Sequence, residues 1–225
     1  MRKILALFLI LYSTAGYAQK VNQFGLSIIN TVKDYHQSVE LDSNSKLVEI
    51  AKYIPNIKLD IRYAGTNNFS GRAVYDQARA FARLPVVKAL AIVQQDLNTR
   101  GLGLKIYDAY RPYAVTVKFF EIATDKNFVA NPKTGSRHNR GCALDLTIIK
   151  LKSGKELKMP TPYDSFLPEA ASVFTGLPRR VIRNRDLLKE LMIKHGFSIL
   201  LNEWWHFDFN DWKRYDLTDI PFKDL

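Results

Sequence analysis

Two short segments hold the residue types that metal-assisted hydrolysis needs. The first runs Ser136-Arg137-His138-Asn139-Arg140-Gly141-Cys142-Ala143-Leu144-Asp145-Leu146-Thr147, with an imidazole and a carboxylate separated by six residues. The second is Glu203-Trp204-Trp205-His206-Phe207. Two imidazoles and one carboxylate form a borderline donor set that suits Zn²⁺, and three protein ligands leave a fourth position for water. His138, Asp145 and His206 are therefore candidate ligands for one zinc ion per chain. Glu203 is the natural general base, because a water attacking a carbonyl must lose its proton. Alternatives exist at single positions: Asp145 could cap a turn or pair with Arg140, and Asp208 shares a face with His206 and could be the ligand instead. The combination is more specific than its parts, since both motifs sit in apolar runs that have no other reason to hold ionised groups.

The elements must bring these groups together. Asn139-Arg140-Gly141 is a turn signal, after which Ala143, Asp145 and Thr147 share one strand face opposite Leu144, Leu146 and Ile148. A turn of that length returns His138 to Asp145. On a regular strand, residues 203 and 206 point to opposite faces, so Glu203 and His206 serve one site only if the chain bends or bulges between them. An irregularity is expected there. Upstream, Ile57, Leu59 and Ile61 alternate with Lys58, Asp60 and Arg62 as in a half-buried strand. A loop rich in Gly, Asn and Ser follows from Gly65 to Gly71. Val86, Leu90, Val93 and Leu97 mark an amphipathic helix ending near Gly101. Leu104 to Ala109 reads as a strand running into Arg111-Pro112, where the proline keeps Arg111 out of a helix. A helix from Ala114 to about Ala123 comes next. Asn184 is a fair N-cap for a helix carrying Leu187, Leu188, Leu191 and Met192, closed by His195-Gly196. Strands over Phe197 to Leu201 and Glu203 to Phe209 complete the pattern. Helices and strands mix without a regular βαβ rhythm. The fold class is α+β, one domain with a central, mainly antiparallel sheet flanked by helices.

With 225 residues, 47% of them hydrophobic and 12% aromatic, the chain can bury the core of one globular domain. Residues 1–18 read as a secretory signal peptide: Arg2 and Lys3, the apolar run Ile4 to Tyr12, and Gly16-Tyr17-Ala18 as cleavage site. That run is shorter than the roughly 20 residues a bilayer span requires. The expectation is an exported protein, periplasmic or secreted, with no membrane span after cleavage. Residues 19–45 are polar and irregular, an N-terminal extension with its break at Asp42-Ser43-Asn44-Ser45, and 46–225 form the catalytic domain. The formal charge is +11, from 33 basic and 22 acidic side chains, and +9 without Arg2 and Lys3. The basic residues are dispersed and not interleaved with aromatics, which favours solubility over nucleic-acid binding. Cys142 is the single cysteine, so no intramolecular disulfide can form. It reads as a small buried hydrophobe.

Ser-x-His-x-x-Gly-x-Ala-x-Asp followed by Glu-x-Trp-His resembles the zinc D,D-peptidases, the D-alanyl-D-alanine dipeptidases and vancomycin-resistance dipeptidases among them. Asp108-Ala109-Tyr110-Arg111-Pro112, with Ile61-Arg62-Tyr63-Ala64 and Asn68-Phe69-Ser70-Gly71, brings the chain closer to the dipeptidase branch. The resemblance spans roughly Val48 to Asp208. It implies zinc on a central antiparallel sheet, held by His138, Asp145 and His206, and Glu203 as catalytic base and acid. It implies Arg111 as the group that polarises the scissile carbonyl and steadies the oxyanion, against the plainer alternative of an ion pair with Asp108. Ser136, Tyr63 and Asp164 match positions near the bound dipeptide. The implied partner is a small D,D-dipeptide, D-Ala-D-Ala, with no nucleic acid. The competing readings are a D,D-carboxypeptidase trimming peptidoglycan stems and a wall-binding module without catalysis, which would not need Glu203. The signal segment favours salvage or wall remodelling over destruction of a cytoplasmic precursor.

Overall fold

A computed structural model describes residues 21–225, and the expected signal peptide lies outside them. The chain begins with β1 (Ile28–Ile29) and α1 (Val32–Leu41), then β2 (Leu47–Glu49), α2 (Ile50–Tyr53) and β3 (Lys58–Leu59). β4 (Phe81–Arg83) leads into α3 (Leu84–Asn98), followed by β5 (Leu102–Asp108) and α4 (Tyr113–Ile122). β6 (Ala143–Lys150), α5 (Arg179–Lys194), β7 (Phe197–Leu200), β8 (Glu203–Phe209) and β9 (Leu217–Thr218) complete it.

The run Ala143-Leu-Asp-Leu-Thr-Ile-Ile149 is buried residue after residue, as a strand covered on both faces must be. It forms the middle of a five-stranded sheet ordered β3-β5-β6-β8-β7. Only the β3–β5 pair is parallel; the other three pairings are antiparallel. The α+β expectation therefore holds. α3 buries Val86, Leu90, Val93 and Leu97, the residues whose spacing marked it, and α5 buries Val181, Leu188, Leu191 and Met192. Each such side chain contributes about 1.5–3 kcal/mol by leaving water, and together they give the sheet a rigid backing. Cys142 is fully buried among them, as expected, and burial raises its thiol to about 12.

Three expectations need correction. The alternating segment around Leu59 contributes only Lys58–Leu59 to the sheet, although Ile57 and Ile61 are buried as the pattern requires. α5 begins at Arg179 after Pro178, which presets the backbone for a helix start. Asn184 lies within that helix, and its amide donates to the Lys158 carbonyl instead of capping. The stretch read as irregular contains α1, started by Thr31, whose hydroxyl accepts from the Asp34 amide. α1 is mostly polar because only a narrow stripe is covered: Tyr35 is buried, and its hydroxyl accepts from the Leu47 amide. The Asp42 carboxylate caps a tight turn over Ser43–Ser45, where the break was expected.

Two features lock the periphery. β1 pairs in parallel with β9, Ile28 beside Leu217 and Ile29 beside Thr218. The Arg83 guanidinium, 1% exposed, donates to the carbonyls of Ser45, Arg140 and Asp216 and to the Thr218 hydroxyl. Its backbone amide donates to Gly141 O at 2.9 Å. The turn bearing His138 is thus fixed to β4. Among the described residues no helix is long and apolar enough to cross a membrane.

Candidate active site

β6 and β8 pair so that Asp145 lies directly opposite His206, and directly opposed residues project from the same face. His138 opens a single helical turn, His138–Arg140, closed by Gly141 in the left-handed conformation at φ 67°. That turn brings the imidazole back over Asp145. One donor atom from each of His138, Asp145 and His206 lies within 4.8 Å of the others. His138 Nε2 is 3.3 Å from His206 Nδ1 and 3.5 Å from Asp145 Oδ1, and His206 Nδ1 is 3.0 Å from that same oxygen.

The remaining atom of each ligand is already engaged. His138 Nδ1 faces the Ala109 carbonyl at 2.7 Å, an obligate acceptor, so Nδ1 carries the proton and Nε2 keeps its lone pair. His206 Nε2 faces Asp208 Oδ1 at 3.0 Å, which leaves Nδ1 free in the same way. Asp145 Oδ2 accepts from the Tyr163 hydroxyl at 2.9 Å. Three lone pairs therefore converge on one point, a donor set that fits Zn²⁺. The electrostatics agree. Burial opposes a charged His206, but the bonds and charges of Asp145 and Asp208 outweigh it and hold the imidazolium well above its usual range. Burial likewise opposes the Asp145 carboxylate, and the two imidazoles outweigh it and pull its pKa down. The surroundings that favour a proton on His206 would equally favour a cation held by the three converging atoms.

Glu203 reaches this centre through the expected irregularity. β7 and β8 stay in register to Ile199–Phe207, and then Leu200 pairs with Glu203, so residues 204–206 bulge. The Ser172 hydroxyl bridges the Leu200 and Glu203 carbonyls at 2.7 and 3.0 Å and holds the bulge. Glu203 Oε2 comes to 3.8 Å from His206 Nδ1. Burial, reinforced by the Asp145 charge, pushes the Glu203 carboxyl up, in spite of the nearby imidazoles. A raised carboxyl is suited to taking and returning a proton.

Arg111 follows β5, where a bulge between Ile106 and Asp108 sets Asp108 opposite Asp145. Its Nε and Nη2 donate to Asp108 Oδ2 at 3.1 and 2.6 Å, while Asp108 Oδ1 accepts from the Tyr75 hydroxyl and the Ala109 amide. The guanidinium also lies over the Phe119 ring at 4.7 Å. The ion pair set against a catalytic role is thus present, and Arg111 lines the cavity as well. The pair positions the guanidinium without withdrawing it. Asn139 braces the same region: its side-chain amide donates to Arg111 O and Thr116 Oγ1, and its oxygen accepts from the Ser136 amide.

All eight residues singled out in the sequence line one cavity of about 530 Å³. Ser136 stands at its edge, its hydroxyl accepting from the His138 amide. The Tyr63 hydroxyl meets both Asp164 oxygens at 3.0 Å. Asp164 adopts φ 59°, a left-handed conformation uncommon outside glycine. Burial, then the Asp145 charge, raises its carboxyl to about 8. Asp208 faces the far nitrogen of His206 at 3.0 Å and accepts from Arg137 at 2.7 Å, so it orients His206 and is outside the converging set. Arg140 donates to the Tyr215 carbonyl and makes no pair with Asp145. Sequence reasoning missed Tyr163 and Asn139. Only the adjacency of Tyr163 to Asp164 could have flagged the first.

A family model described as D-ala-D-ala dipeptidase matches residues 43–223. The chain belongs to that family. Its membership makes it an enzyme, a metallopeptidase. The chain is 32% identical over 182 residues to the D-alanyl-D-alanine dipeptidase of Escherichia coli (strain K12), covering 81% of this chain and 94% of that protein. It is 26% identical over 181 residues to the D-alanyl-D-alanine dipeptidase of Enterococcus faecium, covering 70% and 88%. A third such dipeptidase, from Enterococcus faecalis, is 28% identical over 192 residues, covering 75% and 89%.

Proposed function

We propose that the protein hydrolyses free D-Ala-D-Ala to two D-alanines, using one zinc ion held by His138, Asp145 and His206. The observation that carries this reading is the convergence of three lone pairs, each isolated by a second partner, beside a raised glutamate. When bound, zinc supplies a Lewis acid that polarises the scissile carbonyl and favours ionisation of water. Glu203 takes a proton from the attacking water and passes it to the leaving amine. Arg111, held by Asp108, faces the developing oxyanion, where such a preorganised donor is worth about 2.7–4 kcal/mol. Asp164, Tyr63 and Ser136 hold the dipeptide. A carboxylate lifted to about 8 by burial regains a favourable charge state when an ammonium arrives beside it. That requirement favours a free amino terminus over the blocked one of a stem peptide, since an acylated nitrogen brings no positive charge to Asp164. The relatives named as D-alanyl-D-alanine dipeptidases support the same substrate. The apolar run and cleavage motif at residues 4–18 support export to the periplasm or medium.

The test is D-alanine release from D-Ala-D-Ala and from an N-acylated peptide ending in D-Ala-D-Ala, each with zinc and after chelation. Chelator-sensitive cleavage of the free dipeptide is expected. Preference for the acylated peptide would make the enzyme a carboxypeptidase, and no release from either would refute the substrate class.

A further inference from the structure

The cavity is larger than its proposed substrate. At about 530 Å³ it exceeds the roughly 200 Å³ of an alanine dipeptide, judged from the ~30 Å³ share of one water. The surplus is walled by aromatic rings. From Tyr63, which holds Asp164, the ring centroids step 6.1 Å to Phe69, 6.4 Å to Phe166 and 4.4 Å to Phe128, the last pair stacked. Tyr63 is 3% exposed, Phe69 and Phe128 are half-buried and Phe166 is 46% exposed, so the wall runs from the core to solvent. Phe166 is two residues from Asp164, so the wall belongs to the end of the cavity where the substrate's ammonium is placed. With that ammonium at Asp164 and the scissile carbonyl at the ligand cluster, the first residue lies between them. That placement would set its side chain beside the rings lining this end of the cavity. A methyl group would leave Phe166 and Phe128 in water.

We infer that the enzyme takes D,D-dipeptides whose first residue carries a large apolar side chain, and that Phe166 and Phe128 select it. The inference rests on the dipeptidase reading above. Covering about 60 Å² of additional apolar surface at roughly 25 cal/mol per Å² corresponds to a gain of about tenfold.

The purified protein, loaded with zinc, would be assayed for kcat/KM on D-Ala-D-Ala, D-Leu-D-Ala, D-Phe-D-Ala and D-Ala-D-Leu. The expected result is a preference of about tenfold for D-Leu-D-Ala or D-Phe-D-Ala over D-Ala-D-Ala, expressed mainly in KM. D-Ala-D-Leu should show no such gain. In Phe166→Ala and Phe128→Ala the ratio of D-Leu-D-Ala to D-Ala-D-Ala efficiency should collapse toward one, a ratio that is independent of the folded fraction. Hydrolysis of D-Ala-D-Ala with poorer use of D-Leu-D-Ala would overturn the inference and leave the dipeptidase reading standing. So would a gain confined to D-Ala-D-Leu, or a ratio unchanged in both variants. No turnover of any of the four would overturn both.

Discussion

Replacing Asp108 with asparagine separates the structural and catalytic contributions of the buried pair. The carboxylate is 1% exposed and accepts four hydrogen bonds, two from Arg111 and one each from Tyr75 and the Ala109 amide. Asparagine keeps the shape, removes the charge and replaces one acceptor oxygen with a donor. Arg111, 8% exposed, then remains charged without its partner, and breaking a buried pair in this way costs about 3–5 kcal/mol. At about 2–4 °C per kcal/mol for a chain of this size, the unfolding midpoint should fall by roughly 6–20 °C. Turnover is affected separately. A guanidinium no longer clamped through Nε and Nη2 loses its aim, and kcat should fall about 100-fold at a temperature where both proteins are folded. Metal content should hold, because His138 is oriented by the Ala109 carbonyl and stands 3.9 Å from Asp108. The assays are thermal unfolding by circular dichroism, steady-state D-alanine release and metal analysis. In an Arg111→Met background the same substitution should change kcat little further, since the two residues act as a unit. Near-normal turnover in Asp108→Asn would refute the view that the pair aims Arg111.

Glu203→Gln should lower turnover by about 10²- to 10⁴-fold with metal content unchanged, because Glu203 lies outside the converging ligands; a variant that loses its metal would instead make Glu203 a ligand. Gly141→Ala should destabilise by about 2 kcal/mol or more, since φ is 67° and the new Cβ would approach Leu47 Cδ2 to 2.5 Å; metal affinity should fall with it as the His138 turn shifts, and a stable, fully loaded variant would contradict that link. Glu49 is lowered to about 2, chiefly by its hydrogen bonds from Arg79, against burial and with help from Lys52. A carboxyl with a depressed pKa contributes stability present above its ordinary value of 4.5 and lost as pH falls toward 2. The pair is partly solvated, so the deficit of Glu49→Gln should be only about 0.2–1 kcal/mol at pH 7, and it should shrink through that acid window in urea titrations. A deficit that grows with acidity would reverse the sign.

The convergence of His138, Asp145 and His206 was legible because its constraints are local. Period-two alternation placed Asp145 on one face, the Asn-Arg-Gly turn returned His138, and the clash between strand periodicity and shared function at Glu203 and His206 required a bulge. What surrounds the ligands was not legible. Tyr163 reaches Asp145 from a loop with no periodicity, and Asn139 is an ordinary turn residue until its amide is found buried between Arg111 and Thr116. The motif Asp108-Ala109-Tyr110-Arg111 could be read either as an ion pair or as a catalytic arginine, and the structure shows that the pair forms while Arg111 still lines the cavity. α1 is hard to see because the stripe Val32, Tyr35 and Val39, though at helical spacing, is set in an otherwise polar segment, and α5 starts after Pro178 without any side-chain cap, so Asn184 has no capping role to fill.

The parallel pairing of β1 with β9 has a consequence for how the chain is made. Thr218 emerges from the ribosome roughly 190 residues after Ile28, which at about 5–20 residues per second is some ten to forty seconds later. For that interval the β1 edge has no partner, and Arg83 lacks two of its carbonyl and hydroxyl acceptors. Arg83 holds the His138 turn directly through Gly141 and Arg140, and residues 216–218 complete its bonds. A chain cut before Asp216 would lose these bonds, and should hold the His138 turn more loosely and be more open to proteolysis.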